Sequence, residues 1–138
     1  MTTTRARLRR AHVGLVGGHA PGFLNMQVDP TLLLAQTGIS MKHLGLQELI
    51  DVVHAVDAGD VEQDRGHVEA MGLAQHDDIP DAALDHSSRY VLALQQIFAD
   101  HQLDALAVRC WPELPNVVGT WPYLAFSRLA DMGYTIAM

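Results

Sequence analysis

The 138-residue sequence predicts a single α/β domain, residues 1–138, built on a parallel sheet. Three observations lead there. Short apolar runs that suit strands alternate with longer stretches whose apolar residues recur at helical spacing. The strongest strand candidate, Leu103 to Trp111, is apolar almost throughout, as a strand covered on both faces should be. No internal repeat, low-complexity tract or linker divides the chain.

The elements follow in order. His12 to Gly18 reads as a short buried strand ending in glycines. Asp29-Pro30 has the form of a helix cap followed by a proline in the first turn, where the missing N–H does no harm. Leu32 to Leu34 continue that helix, and Gly38 stands where a terminating glycine belongs. Ile39 to Leu44 is a second strand candidate. Leu46, Leu49, Ile50 and Val53 are spaced as one face of an amphipathic helix. Residues 59–78 are polar and read as a helix with a wet face. Pro80 opens the clearest helix, with Tyr90, Leu94, Ile97, Phe98 and His101 on one side. After the Leu103–Trp111 strand, Asn116 to Gly133 returns to helical spacing. Pro122 falls in its first turn, and Trp121, Leu124, Ala125, Leu129 and Met132 form its inward stripe. Tyr134 to Met138 begins another strand. The sum is a three-layer, Rossmann-like domain whose sheet looks incomplete at the C-terminal end.

Composition narrows the function classes. Apolar residues make up 49% and charged residues 18%, a globular balance. A formal net charge of −7 repels phosphate backbones and argues against nucleic acid. The basic cluster Arg5, Arg7, Arg9 and Arg10 runs straight into the first strand, which leaves no room for a removable targeting segment. No apolar run approaches the ~20 residues needed to cross a bilayer. The single cysteine, Cys110, rules out an internal disulfide. These features favour the cytosol and no membrane partner.

In open parallel sheets, ligands bind beyond the carboxyl ends of the strands. Three such ends can be named: the loop after Gly17-Gly18, the loop after Trp111, and whatever follows Met138. The first, Gly17 to Phe23, has the glycine spacing that opens a phosphate loop, but Phe23 stands where the lysine must be. A tight glycine turn and a substrate-facing loop are the readings left. In the second, Arg109 at the end of a buried strand needs a partner or a ligand. Glu113 could serve as a structural partner; alternatively the two form a polar rim for hydroxyls or carboxylates. Cys110 reads as a small core residue. The eight histidines form no metal motif, and His76-Asp77-Asp78 reads as a solvated turn. Residue types and spacing alone therefore supply no complete catalytic constellation.

The stretches VGLVGGHAPGF (Val13 to Phe23), AVRCWPEL (Ala107 to Leu114) and WPYLAFSRLADMGYTIAM (Trp121 to Met138), in that order, resemble the middle domain of the L-fucose/L-arabinose isomerase family. The resemblance covers nearly the whole chain. It implies a cytoplasmic, homo-oligomeric enzyme with a domain on each side of this one. It implies conversion of aldoses to ketoses through an ene-diol, with a divalent cation, typically Mn²⁺, polarising the sugar oxygens. Carboxylates would shuttle the proton between adjacent carbons. In the family, the last strand leads into a Glu-Gly-Asp motif whose glutamate is a metal ligand. Met138 stands just before that position, so no metal ligand and no catalytic residue carries over. Tyr123 and Met138 stand where the family often has cysteine, a departure that bears on which sugar is used.

The resemblance therefore implies a fragment, cut at both ends and inactive alone, that borders a sugar site. Arg109, Trp111 and Glu113 would line it, with Gly18 and His19 on the neighbouring loop. Two other expectations compete: a stand-alone binding module for a small sugar or sugar acid, and a non-catalytic assembly domain.

Overall fold

Parallel neighbours need a crossover of a dozen or more residues, and each strand-to-strand connection in this chain supplies one. The computed structural model describes residues 3–72 and 79–138. Helix α1 (Thr3–Leu8) precedes β1 (His12–Val16). Helix α2 (Pro30–Thr37) leads to β2 (Ser40–Leu44). Three helices follow: α3 (Leu46–Ala55), α4 (Ala58–Ala70) and α5 (Asp81–His101). Then come β3 (Ala105–Val108), α6 (Glu113–Val118), α7 (Tyr123–Asp131) and β4 (Thr135–Ala137). The sheet is parallel throughout, in the order β2-β1-β3-β4. This is the α/β, Rossmann-like architecture that the alternating pattern predicts.

Strand order fixes the layers. From β1 the chain steps to β2 on one side, then returns past β1 to β3 and on to β4. Because such crossovers are right-handed, α2 lies on one face of the sheet, and α3, α5 and α7 lie on the other. The core sits on that second side. Val16, Leu44, Leu106 and Val108 of the strands pack with Leu49, Ile50 and Val53 of α3, Tyr90, Leu94 and Ile97 of α5, and Leu129 of α7.

Local chemistry explains the helix ends. The Asp29 carboxylate accepts from the backbone N–H groups of Thr31 (2.8 Å) and Leu32 (3.2 Å), capping α2. Gly38 ends that helix with φ 85°, a left-handed conformation that glycine adopts without strain. On α5, Tyr90, Leu94, Ile97 and Phe98 are buried as the spacing predicts. His101, at the end of the same face, instead meets Glu48 at 2.6 Å.

Four expectations are corrected. The segment 116–133 is two helices, because Gly119 (φ 93°) ends α6 and α7 begins only at Tyr123. Pro122 therefore caps α7 and does not lie inside its first turn. The inward stripe of α7 is Ala125, Phe126, Arg128 and Leu129. Trp121 precedes this nine-residue helix, Met132 is its exposed C-cap, and Leu124 turns to solvent. The third strand is covered fully on one face only: Leu106 and Val108 are buried, while Ala105 and Ala107 are half-buried. The helix with a wet face read over 59–78 is found as α4, whose dry face is Val61, Asp64 and Val68. His76, Asp77 and Asp78 lie outside the described residues. No helix among the described residues is long and apolar enough to cross a membrane.

Candidate functional site

The strand order reverses between β1 and β3, and open α/β sheets hold ligands outside the carboxyl ends of strands at such a point. Backbone hydrogen bonds extend the pairing one residue past each strand there. Gly17 N donates to Leu44 O at 3.0 Å, and Arg109 N donates to Val16 O at 3.0 Å. Gly17 (φ 77°) and Gly18 (φ 71°) then turn the chain away in left-handed conformations. A Cβ built on Gly17 would lie 3.4 Å from the Cβ of Arg109 and 3.4 Å from that of Leu46. The glycine turn thus lies directly against the start of the second loop. Two of the three strand ends picked out in the sequence are neighbours.

The first loop does not enter a helix. A turn over Pro21–Gly22 leads only to a single 3₁₀ turn, Leu24–Met26, and Phe23 is exposed. A phosphate cradle needs backbone N–H groups converging at a helix N-terminus, which this loop lacks. His19 is half-buried just beyond the turn.

In the second loop, Arg109 Nη2 donates to Glu113 Oε1 at 2.8 Å, the pair expected from the sequence. Glu113 lies in the first turn of α6. The bridge is made by one atom from each group. Arg109 Nε and Glu113 Oε2 are shut off from solvent and have no partner among the described residues. Buried polar atoms left this way cost about 1–3 kcal/mol each, so the pair is a poor sheet cap as it stands; the rest of the two side chains stays 21% and 36% exposed. Between the two, the Trp111–Pro112 peptide is cis, and Trp111 is 55% exposed.

The third strand end joins the same edge through sulfur. Cys110 Sγ lies 3.9 Å from Met138 Sδ, and the Tyr123 hydroxyl also approaches the thiol. Burial pushes the Cys110 thiol up, more than the backbone hydrogen bond and Tyr123 pull it down. It is a buried core thiol, as expected, and not an activated nucleophile.

One feature of this edge escaped the sequence reading. Trp121, assigned to the core, stacks on Tyr123 instead, with ring centroids 5.3 Å apart and planes at 16°. Trp121 is 40% and Tyr123 46% exposed. The signal available was the dipeptide Gly119-Thr120 followed by Pro122, which breaks the helix before the aromatic pair.

A separate polar hollow of about 660 Å³ opens between α4 and α5. Its arginines are already engaged: Arg65 bonds Asp81 (3.1 Å) and Asp85 (2.9 Å), and Arg89 bonds the carbonyl of Val56 (2.6 Å). Among the described residues no three His, Cys, Asp or Glu side chains converge on one point. These residues do not fit a divalent cation, and no chemical step through one is derived from them.

No family model matches the chain. It is 25% identical over 130 residues to a sulfoquinovose isomerase of Priestia aryabhattai, which covers 91% of this chain and 28% of that protein. The sulfoquinovose isomerase of Priestia megaterium matches to the same extent. That of Alkalicoccus urumqiensis is 26% identical over 133 residues, 93% of this chain and 28% of the relative. The chain thus spans little more than a quarter of the length of these curated relatives and, over nearly all its own length, is similar to part of a sugar isomerase.

Proposed function

We propose that these 138 residues form one α/β domain of a longer aldose–ketose sugar isomerase of the L-fucose/L-arabinose type, and that they supply one wall of its sugar site. The observation that carries the reading is the meeting of the Gly17-Gly18 turn with Arg109 at the switch point of the sheet. Similarity to sulfoquinovose isomerases along almost the whole chain supports it. In this reading Gly18 and His19 approach the sugar from one loop. Arg109, Trp111 and Glu113 approach it from the other, where the Arg109 and Glu113 side chains keep 21% and 36% of their surface open to a sugar hydroxyl.

The reaction moves a proton between C2 and C1 of an open-chain aldose through an ene-diol. The carboxylates that carry the proton, and the divalent cation (Mn²⁺ in the family resembled), belong in this proposal to segments outside these residues. A cytoplasmic location and a homo-oligomeric longer protein are parts of the same proposal.

Titrating the chain with L-fucose, L-arabinose and sulfoquinovose, followed by amide chemical shifts, tests it. The expected result is a cluster of shifts at Gly18, His19, Arg109, Trp111 and Glu113 with at least one sugar, and no ketose formed with Mn²⁺ present. Ketose produced by this chain alone would overturn the placement of the chemistry elsewhere. Shifts with none of the sugars would overturn the wall.

A second reading, an assembly domain, draws on one observation. Phe23, Leu24, Met26, Leu32 and Leu34 are all exposed along the segment that leads into and forms α2. Apolar surface of that kind marks contact with another protein surface. Sedimentation as a monomer at high concentration would count against it.

A further inference from the structure

We propose that the stacked rings of Trp121 and Tyr123 form a platform on which the C–H face of the sugar ring rests, beside the polar pair Arg109–Glu113. This rests on the reading of the strand-end edge as a sugar wall and names how that wall recognises its ligand.

The placement comes first. Helix α7 returns toward the start of β4, so its own start lies at the carboxyl edge of the sheet. Tyr123 reaches Cys110 at the end of β3, and Cys110 meets Met138 at the end of β4. Trp121 then stacks on Tyr123. The pair is anchored: Pro122 between them is fully buried, and the Thr120 carbonyl accepts from the buried Tyr90 hydroxyl at 3.4 Å. The rings are thus held in place while two-fifths or more of each remains in solvent.

The chemistry comes second. Each aromatic face carries the negative side of a quadrupole. One face of a pyranose presents several C–H bonds with slight positive charge, and its hydroxyls project around the rim. An aromatic platform next to an arginine–carboxylate pair matches both parts of such a ligand. A purely apolar partner would leave the exposed polar parts of Arg109 and Glu113 unmatched, and a flat anion would meet the negative ring faces.

Tryptophan emission gives a direct test, because the chain has only two tryptophans, Trp111 and Trp121. The part of the indole emission that Trp121→Phe removes belongs to Trp121, with Trp111 left in place. L-fucose or sulfoquinovose is expected to change its emission saturably, with glycerol at equal concentration giving no saturable change. Amide shifts at Trp121, Tyr123 and Arg109 are expected to rise along one binding curve. Trp121→Ala should weaken binding about tenfold, which corresponds to roughly 1.4 kcal/mol for one aromatic contact. Trp121→Phe should lose less. The amide spectrum of each variant verifies that the fold is kept.

Shifts at Gly18, Arg109 and Glu113 with Trp121 and Tyr123 unmoved would overturn the platform and leave the sugar wall standing. No response anywhere to any sugar would overturn both. Shielding of Trp121 that depends on protein concentration and ignores sugar would also overturn the platform, because the rings would then be a contact between copies.

Discussion

Asp64 on α4 and Arg128 on α7 are joined by two parallel hydrogen bonds, Nη1 to Oδ2 at 2.8 Å and Nη2 to Oδ1 at 2.7 Å, with both side chains buried. The pair spans 64 residues of sequence and clamps the outer helix α4 to α7. Removing one partner strands a buried charge, so Asp64→Ala should cost about 3–5 kcal/mol in urea unfolding. Replacing both, Asp64→Leu with Arg128→Met, should recover most of that loss. A double variant no more stable than the single one would show that the clamp contributes more than charge compensation.

The same pair sets an acid limit on stability. Burial pushes the Asp64 carboxyl up, but hydrogen bonds from Arg128 and Ser88 and the charge of Arg128 together outweigh it, so the group titrates below the usual carboxylate range. The unfolded chain therefore takes up the proton first as pH falls. The stabilisation is complete above the unfolded value, about pH 4, and is lost as pH drops through the folded value. Unfolding free energy measured between neutral pH and about pH 3 should fall in the wild type. It should fall less steeply in the Asp64→Leu, Arg128→Met double variant.

Cys110 gives a report on the strand-end core. Its thiol is buried and pushed up by that burial, so little thiolate forms near neutral pH. A thiol-specific disulfide reagent at about pH 8 should react at least about tenfold more slowly with the native chain than with the chain in denaturant. Equal rates would mean that the end of β3 is open to solvent.

Gly38 tests the α2 terminus without touching the site. It holds φ 85°, and an added Cβ would stand 2.7 Å from the Cα of Arg9. A left-handed conformation costs a non-glycine residue about 1–2 kcal/mol, before the clash is counted. Gly38→Ala should therefore lower stability by about 2 kcal/mol or more in thermal or urea unfolding. A neutral effect would show that the turn at Arg9 yields freely.

What the sequence made legible was local. Asp29, Pro30 and Gly38 announce the ends of α2 because caps and turns are decided within a few residues. Arg109 and Glu113 could be paired on paper because they are four residues apart at a strand end. Trp121 was misplaced because helical spacing was extended across a break that Gly119 and Pro122 impose. Asp64 was read as part of a wet face, and its partner 64 residues away cannot be seen from local spacing. The one trace was its position between Val61 and Val68, at helical distance from both. The contact of Gly17 with Arg109 likewise depends on strand order, which no single segment encodes.

The central position of β1 has a consequence in time. It precedes the other strands of this sheet in the chain, yet Val13 to Val16 pair with Ala105 to Val108, and His12 N donates to Asp104 at 2.8 Å across 92 residues. At elongation rates of about 5–20 residues per second, that partner strand is synthesised roughly 5–20 s later. Until then this sheet can hold only a two-stranded ribbon of β1 and β2, which is marginal on its own. The backbone edge of β1 must wait unpaired, so the interval before Ala105 emerges is when a growing chain would most need a chaperone's protection.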